Sequence, residues 1–211
     1  MERRDFKPAR RDVLAGAAGL AASAVLTSGL AQTSRRTLLK ACTIVSLDPK
    51  IGDLARGDIL IDGETIAAIG PEIAATDVMI VDATGMIAIP GFVDTHRHMW
   101  EGVLRHDLPD ATIAEYVTTE LIKTGPLMRP EHVRLGNLIS ALSALDAGVT
   151  CVLDYSHIQN TPEHTDAAIA GLKEAGIRAV FGFGTPQLGG KRWWEDTTHA
   201  YPGDIKRLRK Q

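Results

Sequence analysis

Hydrophobic positions fall into two regimes along the chain. Between residues 38 and 89 they come in short runs broken by turn residues. The run 38–47 (LLKACTIVSL) ends at Asp48-Pro49, and 58–61 (DILI) leads into the hairpin pair Asp62-Gly63. Then 65–69 (TIAAI) stops at Gly70-Pro71, and 78–81 and 86–89 flank the turn Ala83-Thr84-Gly85. Five short strands in about 55 residues predict a small antiparallel sheet or β-sandwich module over 33–89.

From residue 90 onward the runs lengthen and acquire helical spacing. The stretch 86–95 (MIAIPGFVDT) carries the chain to His96. A helix is expected from Asp110 as N-cap to just before Gly125, and a second from Pro130 to Ala147 with Gly148 beyond its end. In the second, Leu135, Leu138, Leu142 and Leu145 recur at three- and four-residue spacing and predict a core-facing stripe. A buried strand follows at 150–154 (TCVLD). Thr161 and Pro162 then open a helix that carries Glu163 in its first turn and closes at Gly176, before a third strand at 177–183 (IRAVFGF). Apolar strands separated by helices predict a parallel sheet covered on both faces, either doubly wound or part of a (β/α)₈ TIM-type barrel, with three βα units over 90–211.

Composition removes several function classes. The chain has 211 residues, 45% hydrophobic and 23% charged, as expected of a globular protein rather than a disordered or fibrous one. Its net charge of −3 provides no basic field for nucleic acid, which is not an expected partner. Cys42 and Cys151 lie in separate apolar runs and are read as small buried hydrophobes rather than as a disulfide framework or a zinc site. Gly182-Phe183-Gly184 lacks the rest of a dinucleotide-binding loop and is set aside.

The charge is uneven. Arg3, Arg4, Lys7, Arg10 and Arg11 crowd the N-terminus, followed by Asp12 and an uncharged stretch to Ala31 rich in Ala, Gly and Ser. A basic head, a mildly apolar middle and a small-residue end make residues 1–31 an export signal, and the paired Arg10-Arg11 resembles the twin-arginine type. The expectation is cleavage after Ala31 and a periplasmic or secreted protein that meets the membrane only in transit.

The sharpest chemical feature is Pro90-Gly91-Phe92-Val93-Asp94-Thr95-His96-Arg97-His98. Residues two apart in a strand point the same way, so His96 and His98 are expected to project together from a strand end, where two imidazoles can share a divalent ion. Barrel chemistry belongs at that end of the strands. Asp94 is placed on the same face, either orienting an imidazole or capping backbone. Trp100 is a candidate wall for a planar substrate or a packing residue, and His157 a candidate substrate contact or a solvated loop histidine. His106, His132, His164 and His199 have no context that favours ligation.

The nine residues 90–98, preceded by the hairpin 62–70 (DGETIAAIG), resemble the amidohydrolase superfamily over roughly residues 36–211. Residues 99–105 (MWEGVLR) resemble most the branch containing cytosine deaminase, atrazine chlorohydrolase and adenosine-type deaminases. The resemblance implies a metal-dependent hydrolase of carbon–nitrogen bonds outside peptides, acting on a small amide, amidine or amino-heterocycle by attack of a metal-activated water. His96 and His98 are then two ligands of one divalent metal, with Zn²⁺ the first choice and Fe²⁺ the second.

The superfamily also uses histidines on the fifth and sixth strands, an aspartate on the eighth and an acid/base carboxylate after the fifth. Three barrel strands are read here. The expectation is therefore an N-terminal part of an enzyme that is inactive alone, holds metal weakly and keeps its acid/base residue beyond Gln211, with a homo-oligomer as one expected state of the complete protein. The alternative reading is an exported binding or structural protein without catalysis, whose ligand affinity would survive loss of both His96 and His98.

Overall fold

The computed structural model describes residues 36–187 and 204–209. The expected signal segment at 1–31 and His199 lie outside the described residues. The chain divides into two compact units, one ending at Pro90 and one beginning at Gly91.

The first unit is a single five-stranded sheet: β1 (Thr37–Ile44), β2 (Leu54–Asp62), β3 (Thr65–Gly70), β4 (Met79–Asp82) and β5 (Ile87–Ala88). Its order is β3-β2-β1-β4, with β5 also on β1. β1–β2 and β2–β3 are antiparallel, as the Asp62-Gly63 turn requires, but β4 and β5 run parallel to β1. The sheet is therefore mixed rather than purely antiparallel, and the described strands form one layer rather than the two of a sandwich. Cys42, Ile44, Ile59 and Ala83 make its core. Asp58, 3% exposed, is buried beside them and accepts the backbone N–H groups of Ala41 and Ile73, each at 3.0 Å. Burial would raise its pKa, but those two donors and the Lys40 ammonium outweigh it and hold Asp58 below its ordinary value.

The second unit carries the site. Strands β6 (Phe92–Arg97), β7 (Val149–Ser156) and β8 (Arg178–Phe183) form a parallel sheet in that order. After β6 comes a 3₁₀ segment, Met99–Leu104, and then α1 (Ile113–Tyr116), which widens into π-helical turns over Val117–Thr124. The cap is Thr112, whose hydroxyl accepts the Glu115 N–H while the Glu115 carboxylate accepts the Thr112 N–H. This reciprocal box displaces Asp110 from the expected role, because Glu three residues on completes the pair for Thr112. Helix α2 (Pro130–Asp146) links β6 to β7, and α3 (Pro162–Ala175) links β7 to β8 and ends at Gly176 with φ +74°. A last short helix, α4, spans Ile205–Leu208.

Only half of the leucine stripe of α2 turns inward. Leu138 and Leu145 are half-buried, Leu145 packed against the cluster of Ala141 and Ala144, but Leu135 and Leu142 are exposed, and the fully buried positions are Val133, Gly136, Asn137, Ser140, Ala141 and Ala144. Small residues win that face because α2 is crossed closely by other backbone: a Cβ on Gly136 would lie 2.0 Å from the Trp100 carbonyl oxygen, and one on Gly102 would lie 2.4 Å from the Gly136 carbonyl oxygen. Met99, Val152, Leu172 and Ile177 close one cluster against Ala141 and Ala144, and Trp100, Leu121, Val133, Ile158 and Ala168 another. No helix among the described residues is long and apolar enough to cross a membrane. Cys42 is buried as expected, and Cys151 is half-buried.

Candidate active site

The site is built at the ends of β6 and β7. The β6–β7 register pairs Asp94 with Val152 and Arg97 with Asp154, so β6 spends three residues where β7 spends two. That extra residue is a bulge, which locally re-aims side chains. Paired residues of parallel strands share a face, so Asp94 and Arg97 both lie on the helix-covered side with Val152 and Asp154, each 0% exposed. The Asp94–Arg97 ion pair at 3.4 Å agrees with this. Asp94 is thus on the opposite face from the histidines, not on theirs. Its other oxygen accepts the His96 backbone N–H at 3.1 Å, which is the backbone-capping role.

His96 and His98 line one cavity of about 330 Å³ with Tyr116, Val117, Leu121, Tyr155, His157, Thr185 and Gln187. Their rings are 5.0 Å apart at the centroids and edge-on, and the Tyr155 ring stacks on His96 at 5.7 Å. His98 donates from Nδ1 to the Tyr155 carbonyl oxygen at 2.8 Å. A neutral ring with hydrogen on Nδ1 keeps a lone pair on Nε2. Burial holds the His98 pKa below its usual value despite the Tyr155 carbonyl, and the neighbouring His96 adds to the effect.

Next to this pair runs a hydrogen-bonded chain. Trp100 donates from Nε1 to His157 Nδ1 at 3.1 Å, His157 Nε2 meets the Tyr116 hydroxyl at 3.3 Å, and that hydroxyl donates to Glu101 at 2.6 Å. Since Nδ1 of His157 accepts, its proton sits on Nε2. Burial, with His98 and His96 nearby, drives the His157 pKa down to about 3, so the ring is neutral. Burial pushes Glu101 up to about 7 against the opposing Tyr116 hydrogen bond, with Glu120 and Asp154 adding to the rise. Burial and Glu101 together keep the Tyr116 phenol protonated.

Of the residues singled out from sequence, His96, His98 and His157 therefore share a cavity. His157 is 7% exposed and presents the flat of its ring to His98 at 4.0 Å, so it is not a solvated loop histidine. Trp100 is 0% exposed and packs with Leu121, Met128 and Val133; it is a core residue holding His157, not a wall of the cavity. His164 is buried between the Thr161 hydroxyl and the Met128 carbonyl, and His132 pairs with Arg129. Sequence inspection missed Tyr116, Tyr155, Glu101 and Asp154. Tyr155 alternates with Asp154 at the end of an apolar strand, a position that marks the chemically active rim of such sheets.

The donor set fits part of a metal site. Metal-binding imidazoles usually give their second ring N–H to a carbonyl or carboxylate, which is the bond His98 makes to Tyr155. Among the described residues no group of three or more His, Cys, Asp or Glu is placed to hold an ion. The histidine pair offers two imidazole donors on one cavity wall.

Residues 87–211 match the model of the amidohydrolase family. A 5-methylthioadenosine/S-adenosylhomocysteine deaminase of Thermococcus kodakarensis is 28% identical over 137 residues, 65% of this chain and 31% of that protein. A 5′-deoxyadenosine deaminase of Methanothrix thermoacetophila is 31% identical over 58% of this chain and 28% of its own length. Among solved structures, a mutant atrazine chlorohydrolase of Arthrobacter aurescens TC1, complexed with zinc and atraton, superposes with a TM-score of 0.63 at 28% identity, covering 69% of this chain and 35% of that one. The chain thus spans about a third of the length of these relatives. The family match takes in β6, β7, β8 and both histidines, and the chain belongs to the amidohydrolase family, a family of hydrolase enzymes.

Proposed function

We propose that this chain contributes the first strands of a TIM-type barrel to a metal-dependent hydrolase that cleaves a carbon–nitrogen bond in a small amino-heterocycle. His96 and His98 are two ligands of its divalent metal, zinc first. The observation that carries this reading is the Nδ1–H bond from His98 to the Tyr155 carbonyl, which leaves Nε2 free beside His96. A divalent metal bound there supplies Lewis acidity and lowers the pKa of water towards about 7. Tyr155 fixes the His98 ring, and the neutral His157 ring covers its flank without competing for protons. Val117, Leu121 and the Tyr116 ring give the cavity an apolar wall suited to a flat, uncharged ring. Relatives named for adenosine derivatives and a triazine support that substrate class.

The test is a Co²⁺ titration of the purified chain, followed by visible absorption and calorimetry, with wild type, His96→Ala, His98→Ala and the double variant. Each single change is expected to weaken binding by at least tenfold, and the double change to abolish it. Undiminished binding in the double variant overturns the assignment. Ammonia release from 5′-deoxyadenosine and from aminotriazines tests the reaction class in a protein that also carries the remaining strands of the barrel, with His96→Ala and His98→Ala as the controls expected to lose it. The proposal extends to location: the Arg10-Arg11 signal supports export in the folded state. Cell fractionation after replacing both arginines by lysine is expected to retain the protein in the cytoplasm.

A further inference from the structure

Asp154 lies at the covered end of β7, 0% exposed, and makes two hydrogen bonds to other elements. One oxygen accepts the Met99 N–H at 3.1 Å, and the other accepts Nδ2 of Asn137, from α2, at 2.9 Å. Met99 is the residue after His98 and opens the 3₁₀ segment, whose cap, His98, makes no side-chain capping bond of its own. The next residue of β7, Tyr155, offers its carbonyl to His98 Nδ1. Two consecutive residues of β7 therefore hold the chain at His98 from both ends, one through the following backbone N–H and one through the ring. A buried carboxylate is costly to keep, and an apolar side chain would fill the same space at less cost, so its retention calls for a task.

We propose that Asp154, steadied by Asn137, is a positioning residue that fixes the His98 imidazole in its Nδ1–H form with Nε2 facing the cavity. Without the Met99 anchor the 3₁₀ segment is free to shift, and the His98–Tyr155 bond lengthens or breaks. The ring then samples both tautomers, and a site that needs Nε2 unprotonated is populated only part of the time. The inference rests on the proposed ligand role of His98 for its functional meaning, but the orientation of the ring is measurable without any metal.

The experiment is long-range ¹H–¹⁵N NMR of histidine side chains in the metal-free protein, with His98 assigned from the spectrum of His98→Gln. Wild type is expected to show one neutral form with hydrogen on Nδ1. Asp154→Val is expected to show a mixture of tautomers, and Asp154→Asn to restore the single form. In the latter the amide oxygen still accepts from Met99, and with the Asn137 amide turned over its Oδ1, which has no hydrogen-bond partner now, accepts from the new NH₂ in place of the bond that Nδ2 gives Asp154. Should Asp154→Val fail to fold, Asn137→Ala, which keeps the carboxylate but frees its second oxygen, is expected to show the mixture in smaller proportion. A His98 signature unchanged in Asp154→Val, or in Asn137→Ala where Asp154→Val does not fold, overturns the inference. Co²⁺ affinity is read on the same samples. A loss of about 10–100-fold in Asp154→Val, regained in Asp154→Asn, is expected from an orienting partner of a ligand. If His98→Ala leaves Co²⁺ binding intact, the ligand reading fails while the tautomer result still decides the positioning role.

Discussion

At the scale of single residues, a buried carboxylate sets the behaviour with pH. Burial lifts Asp154 from its ordinary 3.8 to about 7, against the opposing bonds from Met99 and Asn137. The folded state then binds this proton more tightly than the unfolded chain does. The associated stability is complete below about pH 3.8 and is lost as pH rises through 7. Asp154→Asn removes that dependence, so its unfolding free energy relative to wild type should climb between pH 4 and 7, by on the order of 4 kcal/mol at most. Urea denaturation at stepped pH measures it; parallel curves for the two proteins would refute it. The histidine pair was legible in sequence because a two-residue period needs only local backbone. Asp154 was not: its two partners are 55 and 17 residues away, and nothing in TCVLD distinguishes a buried carboxylate with partners from a strand-end turn residue.

At the scale of elements, ends were easier to read than faces. Pro130 and Pro162 open their helices, and Gly176 closes α3, because these residues carry their own backbone preferences. The inner face of α2 was only half legible: Leu138 and Leu145 do turn inward, but leucine periodicity reports an apolar stripe, whereas the closest packing partner is backbone approaching within the radius of a methyl group. Gly136→Ala puts its Cβ onto the Trp100 carbonyl, two residues after His98. The substitution should cost about 1–3 kcal/mol by equilibrium denaturation. Leu142→Ala, on the exposed face, should cost under about 0.5 kcal/mol. The reverse ranking would restore the leucine stripe as the core face.

At the scale of the whole molecule, two units carry separate cores, and among the described residues each has one buried aspartate at a junction of elements. Asp58 contrasts with Asp154: its pKa is lowered, so its stabilising effect is present above 3.8 and vanishes as pH falls through the folded value. Asp58→Asn can accept from only one of its two N–H donors through oxygen and leaves the other facing an NH₂ group. A loss of about 1–3 kcal/mol at neutral pH is expected, shrinking in acid, with faster amide exchange at Ala41 and Ile73. Unaltered exchange at both amides would show that the carboxylate does not hold them. The five-strand pattern of the first unit was read correctly as strands, but its mixed direction was hidden, since a strand's own sequence does not record which way its neighbour runs.

The surplus residue in β6 has an arithmetic consequence. Side chains in a regular strand obey parity, so without the kink Asp94, His96 and His98 would all share one face, and either the imidazoles would turn under the helical layer or Asp94 would be drawn away from Arg97. One irregular step, rather than any change of chemistry, lets a pair of rings open on a cavity while the carboxylate two positions earlier stays behind the sheet.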